Sequence, residues 1–509
     1  MSEAPPFQPI GALILAHARD RANAPALTVG ETTLSWAELG SRAGRVAAAL
    51  QRERLAPGAT IAILAATQPD YVALYLGALV AGIAVAPLPP SATPAQLAAM
   101  IADSGAPLLF ADAANREALA AETLAARTIP LESLEDWLPA EGAPLADLPD
   151  AAWQALPFNI IYSSGTTGVP KGIVHSHQMR WAHLAGGRAA GYGATSVTLL
   201  STPLYSNTTL VAALPTLAWG GHLVLMPKFD VEGFLTLAER HRATHTMLVP
   251  VQYRRLLAHP GFDRFDLSSF QLKFCTSAPF EAALKREVLR RFPGGLIEYY
   301  GMTEGGGGTV LVAHNHPDKL HTVGHPIPGH TILLLDEEGR EVPPGEVGEI
   351  VGHSPATMTG YANRPEATRA TQWVHPDGRV FIRTGDLGRF DADGFLELVG
   401  RAKDMIVSGG FNIYPVDLEA ALAAHPAVIE AAVVAAPSAE WGETPVAFVV
   451  TRDPVAAEEL RAFANARLGR TQRIAAVHLL DALPRSAIGK VLKRELRDRL
   501  TGAAGAPAS

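Results

Sequence analysis

The chain has 509 residues, well past the roughly 250 to 300 at which a single hydrophobic core stops growing, so at least two folding units are expected. Hydrophobic residues make up 48% and charged residues 18%, which excludes a disordered chain. Acidic side chains number 50 against 42 Lys plus Arg, a formal charge of −8 that argues against the broad positive field nucleic-acid binding needs.

The N-terminal stretch carries Glu3 and two prolines, Pro5 and Pro6, before a short apolar run, unlike a secretory signal. From Thr60 onward, short apolar runs (TIAILAA, IAVAPLP, PLLFAD, FNIIYSS) alternate with helix-like stretches, which predicts α/β layers with largely parallel strands. The uncharged stretch Tyr71 to Pro90 reads as a buried helix to Gly82 and a short strand from Ile83 to Leu88, so no transmembrane segment is expected. Cys275 is the single cysteine and has no internal partner; its FCTSAP surroundings read as a buried strand ending in a loop, a packing role, and a cytoplasmic location is expected. Residues 331 to 400 turn β-rich, with a hairpin signal at Asp393-Gly394. After Arg401 come a helix near Pro415 to Ala424, strands IEAAVVAA and VAFVVT, a helix around 456 to 468, and a last helix with Leu492, Leu496 and Leu500 on one face. The expected fold class is therefore α/β: a large N-terminal domain over 1–402, of layered α/β subdomains plus a β-rich subdomain, then a smaller α+β C-terminal domain over 403–502 and a flexible tail over 503–509.

The strand-like FNIIY is followed by Ser163, Ser164, Gly165, Thr166, Thr167, Gly168, Val169, Pro170, Lys171 and Gly172. Glycines let backbone amides approach an anion, the hydroxyls add donors, and Lys171 adds positive charge, so the loop suits polyphosphate. No Gly-Lys-Ser/Thr triplet closes it, so it is not a Walker A loop, and taken alone a flexible connector is the competing reading.

Four further segments stand with it: YYGMTE at 299–304, RTGD at 383–386, GRAKDMIVSGGFNIYP at 400–415 and PRSAIGK at 484–490. Together the five resemble the adenylate-forming superfamily of acyl-CoA synthetases, luciferases and peptide-synthetase adenylation domains, over roughly residues 10 to 500, and most of all its acyl- and aryl-CoA ligases. The resemblance implies ATP, Mg²⁺ and coenzyme A as the small molecules bound. In it, Tyr300 stacks on adenine, Thr303 hydrogen-bonds the α-phosphate, and Glu304 helps hold Mg²⁺, an oxygen ligand for a hard cation. Ser277, Ala278 and Pro279 resemble the loop that meets the adenine edge and walls the acyl pocket. Asp386 accepts from the ribose hydroxyls, with a turn residue as the other reading, and Arg401 approaches the same region.

Lys490 is implied as the cation of the first half-reaction. A carboxylate is already ionised at neutral pH, so its attack on phosphorus needs two anions brought together and the developing charge neutralised. For the second half-reaction the resemblance implies that the small domain is a mobile lid pivoting at Lys403, which turns Ser408, Gly409 and Gly410 toward the pantetheine. Trp441 is either a CoA contact or a packing tryptophan.

The resemblance implies an acyl pocket at Tyr205, Ser206, Asn207, Gly301, Gly305 and Gly306. Many relatives have histidine at the position of Ser206, and the glycine run 305–308 suggests a wide pocket floor. A dicarboxylate would call for a fixed Arg or Lys near the pocket, and an amino acid for an Asp in Tyr205 to Thr209, which has none. The leading expectation is an AMP-forming ligase acting on an apolar carboxylic acid: fatty, aromatic or arylalkanoic. Against it stand a stand-alone adenylation enzyme that loads a carrier-protein pantetheine, and a nonenzymatic nucleotide-binding protein that should have lost Lys490 or Glu304. A homodimer is compatible with the sequence and not required by it.

Overall fold

A computed structural model describes residues 5–163, 170–408, 411–438, 440–469, 472–486 and 489–503. It divides into two units: residues 1–321, 326–331 and 352–382, and residues 322–325, 332–351 and 383–509.

Two sheets organise the first unit. One runs Thr309–Val312, Gly295–Tyr300, Leu272–Cys275, His245–Leu248, Val197–Leu200, His222–Leu225, Pro25–Val29 and Thr32–Ser35 in spatial order; it is parallel throughout its centre and antiparallel at the two outer pairs named here. The other runs Gly360–Tyr361, Lys171–Ser176, Pro157–Ser163, Ala84–Pro87, Thr60–Leu64, Leu108–Ala111 and Arg127–Pro130, again parallel from Pro157–Ser163 onward. The central strands are buried on both faces, as parallel strands covered by helices must be, which is why they read as unbroken apolar runs.

Helix Pro69–Val80 is buried from Tyr71 to Val80 and packs on helix Trp36–Arg52. A Cβ on Gly77 would come within 2.4 Å of Val46 Cβ, so glycine lets the two helices touch. Burial on every side explains why this stretch is apolar without a helical period, and among the described residues no helix is long and apolar enough to cross a membrane. Sequence caps set the helix starts: Ser35 Oγ accepts from the Glu38 amide while the Glu38 carboxylate accepts from Ser35 N, and Thr93 and Gln96 repeat the box with Pro94 at the first helical position. Cys275 ends its strand, fully buried, and burial pushes its thiol pKa well up; it is a packing residue, as expected.

The second unit carries an antiparallel hairpin in which Asp386–Phe390, the end of strand Val380–Phe390, pairs with Leu396–Arg401, turned at Asp391–Phe395 with Gly394 at φ +80°. It also carries a sheet in the order Phe411–Ile413, Ile406–Ser408, Gly442–Thr451 and Val428–Ser438, with Ala476–Leu479 parallel to Gly442–Thr451. Strand alternation splits its core in two. Val433, Ala447 and Val449 face helices Pro415–Ala423 and Ala457–Asn465 through Leu418, Leu422 and Leu460, whereas Ala432, Val434, Val446 and Phe448 pack with Leu496 of helix Lys493–Ala503. Leu500 joins that second cluster; Leu492 falls just before the helix starts.

Candidate active site

In the first unit the glycine-rich motif joins two antiparallel strands, with Ser163 opposite Lys171. Its tip, including Ser164, Gly165, Thr166, Thr167 and Gly168, lies outside the described residues. Lys171 sits with its ammonium 5.1 Å from the Tyr361 ring centroid, and the Tyr361 hydroxyl donates to Glu304 Oε1 at 2.9 Å. Strand Gly360–Tyr361 reaches this place by pairing with Ile173 and Val174 of the strand that Lys171 begins. Burial, then the Glu304 charge, raises the Tyr361 pKa, so this phenol stays a donor. Tyr361 thus links two residues expected to hold phosphate and metal, and nothing in its own sequence context marks it.

The backbone around Glu304 is fixed from both sides. Met358 N donates to the Glu304 carbonyl at 2.9 Å, and His175, wholly buried, bonds the Thr303 carbonyl through Nε2 at 2.7 Å. A carbonyl only accepts, so Nε2 carries the proton. Burial, and next the Arg180 charge, hold the His175 pKa well below its usual value, so the ring is neutral and its Nδ1 has no partner among the described residues.

Gly305 and Gly306 adopt φ +72° and +88°. A Cβ on Gly305 would lie 1.8 Å from the Ala356 carbonyl oxygen, and one on Gly306 would lie 2.7 Å from Ile382 Cβ. The expected wide floor is therefore corrected at these two positions: the missing side chains make room for neighbouring backbone and for Ile382, not for ligand. At Gly301 a Cβ would fit, in ordinary van der Waals contact with the Gly307 carbonyl oxygen at 3.7 Å.

The expected acyl segment and adenine loop meet directly. Ser277, at φ +79°, places its Oγ 2.6 Å from Thr208 Oγ1, with Ala278 half-buried and Pro279 exposed beside it. Ser206 caps helix Asn207–Ala218 by accepting from Thr208 N at 3.3 Å. Tyr205 is half-buried, and burial raises its pKa. Asn207 Oδ1 accepts from Arg180 Nη1 at 2.8 Å. Arg180 was not anticipated; it is 1% exposed and shows in the sequence only as an arginine within the helix HQMRWAHLA. Tyr300 ends strand Gly295–Tyr300, half-buried.

The second unit gathers the remaining charges. Asp386 lies directly across the hairpin from Arg401, and Arg401 Nε bonds Asp386 Oδ1 at 2.8 Å. Asp386 is in a strand, so the turn-residue reading falls away. Lys403 stands in the short 3₁₀ turn Ala402–Asp404, and Arg497 pairs with Asp404. Lys490 has its amide bonded to Ser486 Oγ at 3.2 Å and its carbonyl to Ser486 N at 2.8 Å, while Gly489 supplies φ +77° and Arg485 ties Gly489 O to Glu430. Desolvation by surrounding chain, then the Arg401 charge, lowers the Lys490 pKa, with Asp386 opposing. Ser408 pairs with Phe411 and Gly442. Trp441, adjoining Gly442, is 52% exposed, so it is not a core residue. Gly409 and Gly410 lie outside the described residues.

A layered α/β unit with a buttressed Thr-Glu pair and a Thr–Ser hydroxyl contact, and a second unit bearing an Asp–Arg pair and a loop lysine, define an adenylate-forming enzyme. Two family models match: AMP-binding enzyme over residues 14–362 and AMP-binding enzyme C-terminal domain over 417–490. The chain is 34% identical to a feruloyl-CoA synthase of Amycolatopsis over 97% of its length and 99% of that protein's. It is 32% identical to the medium/long-chain-fatty-acid–CoA ligase FadD8 of Mycobacterium tuberculosis, over 97% and 90%. It superposes on the ATP-bound MatB structure from Rhodopseudomonas palustris with a TM-score of 0.87 at 30% identity, over 96% and 98%. The chain belongs to the AMP-binding enzyme family, in its acyl- and aryl-CoA synthetase branch, and is an AMP-forming acid–CoA ligase that uses ATP, Mg²⁺ and coenzyme A.

Proposed function

We propose that this ligase activates an acid with an apolar body (fatty, aromatic or arylalkanoic) in the cytoplasm. The observation that carries the reading is the Thr208–Ser277 bond: it ties the acyl segment to the adenine loop, and neither piece contributes a carboxylate to meet a substrate amino group. The relatives named for feruloyl and fatty acyl groups support it.

In the first half-reaction the ionised acid attacks the α-phosphorus, an acyl C–O–P link forms, and diphosphate leaves. Tyr300 faces adenine, Asp386 takes the ribose hydroxyls with Arg401 beside it, Thr303 donates to the α-phosphate, and Ser163, Lys171 and the loop between them cradle the outer phosphates. Mg²⁺ takes one or two carboxylates plus phosphate oxygens, so a lone glutamate suffices. Glu304 fits, because Tyr361 engages Oε1 and leaves the other oxygen, and no cage of three or more metal-ligating residues occurs among the described ones. Lys490 neutralises the charge that develops.

In the second half-reaction the CoA thiol attacks the acyl carbonyl, a C–S bond forms, and AMP leaves. Residues 403–502 pivot at Lys403 between the two steps, bringing Ser408, Gly409 and Gly410 to the pantetheine, and exposed Trp441 contacts CoA. Diphosphate release measured with a panel of free acids tests the reading; release confined to amino acids would overturn it.

A further inference from the structure

Arg180 is buried without a carboxylate. Its Nε donates to Asn159 Oδ1 at 3.0 Å and its Nη1 to Asn207 Oδ1 at 2.8 Å, both neutral amide oxygens, and its Cζ lies 5.8 Å from the Phe158 ring centroid. Nη2 has no partner among the described residues. Nor do Asn159 Nδ2, the Tyr75 hydroxyl or the Tyr71 hydroxyl, all buried. These atoms belong to one neighbourhood: Asn159 bonds Arg180, Tyr75 lies 6.3 Å from the Phe158 ring under Arg180, and Tyr75 and Tyr71 share the wall of one small apolar cavity with Leu204 and Leu210. Burial lowers the guanidinium pKa only to about 10, so Arg180 is a cation at neutral pH.

Each of these unpartnered atoms can donate, and Arg180 and Asn159 can do nothing else at those atoms. A buried donor without an acceptor costs free energy, and a buried cation more so. Bracing Asn207 does not account for the arrangement, because that contact uses Nη1 and leaves Nη2 idle. The cluster adjoins the acyl segment through Asn207, the residue after Ser206 and Tyr205.

We propose that Arg180 is a specificity-determining residue which binds an oxygen acceptor, a hydroxyl, carbonyl or second carboxylate, at the far end of the acyl substrate. This rests on the acid–CoA ligase reading and on Asn207 belonging to the acyl pocket. Asn159, bonded to Arg180, supplies a further donor beside it. The substrate is thus an acid with an apolar body and an oxygen-bearing tip.

The test compares kcat/KM for matched fatty and arylalkanoic acids that differ only in a terminal methyl, hydroxyl or carboxylate, using the wild-type enzyme and Arg180→Met. The wild type is expected to prefer an oxygen-tipped acid by about ten-fold or more, the scale of a hydrogen bond to a charged group. A carboxylate winning over a hydroxyl identifies an anionic tip, and the reverse a neutral one. Arg180→Met should erase the preference and improve the methyl-tipped acid. A wild-type preference for the methyl tip, or an oxygen preference unchanged in Arg180→Met, overturns the proposal, and the wild-type comparison decides even where the variant does not fold. Failure of every acid to release diphosphate would instead sink the ligase reading beneath it.

Discussion

His177 makes the first unit acid-sensitive in a calculable way. It opens helix His177–Ala185, is 2% exposed, and stands edge-on between Trp153 and Phe158 with ring centroids 5.1 and 4.9 Å away. Its Nε2 has no partner among the described residues, and burial pulls its pKa from 6.5 to about 4. The unfolded chain therefore binds a proton here more tightly than the native one. The stability contribution is complete above pH 6.5 and is lost as pH falls toward 4. Linkage takes about 2 kcal/mol from the protein between pH 7 and pH 5 through this ring alone, and about 3 kcal/mol in full. His183, held near 3 by burial and the Arg180 charge, adds a loss of the same sign. His177→Phe keeps an aromatic ring in the slot and removes one titration. Urea unfolding at pH 7, 6 and 5, followed by tryptophan fluorescence, should show the wild type weakening with acid and the variant weakening by about 2 kcal/mol less. Equal pH slopes for the two proteins would refute the argument, whatever the variant's stability at pH 7.

Lys490→Ala should slow adenylation by about 100- to 1,000-fold, the cost of losing one donor to developing charge, yet still convert preformed acyl-adenylate and CoA; a bulky residue at Gly409 should do the reverse, and equal loss of both steps in either variant contradicts the pivoting account. Tyr361→Phe leaves Glu304 without its 2.9 Å donor, so the Mg²⁺ concentration for half-maximal rate should rise roughly ten-fold while kcat at saturating Mg²⁺ holds, and an unchanged requirement would count against Glu304 as the ligand. Gly305→Ala combines left-handed strain with a Cβ 1.8 Å from the Ala356 oxygen, for a loss of roughly 2 to 4 kcal/mol on thermal or urea unfolding.

Much of the fold was legible because local physics wrote it. The apolar run Tyr71 to Gly82 followed by Ile83 to Leu88 became helix Pro69–Val80 and strand Ala84–Pro87. Asp393-Gly394 made the hairpin, and the period-2 strands of the C-terminal sheet sorted their side chains between two cores. What escaped was set by long-range contact. Tyr361 reaches Glu304 across 57 residues of sequence and His175 reaches Thr303 across 128, and no short window records such distances. The glycines at 305 and 306 were read as absence of bulk, but what fills their space is Ala356, Gly352 and Ile382, supplied by a later stretch of chain.

Ser206 shows how one capping residue positions its neighbours. A side-chain acceptor at a helix start satisfies an otherwise unpaired amide, and Ser206 provides it to Thr208 N. The capped turn fixes Asn207 and Thr208 at the first positions of helix Asn207–Ala218, where Thr208 bonds Ser277 and Asn207 accepts from Arg180. Ser206 and Arg180 thus act on neighbouring residues of one helix start: the serine caps Thr208 N, and the buried guanidinium holds Asn207.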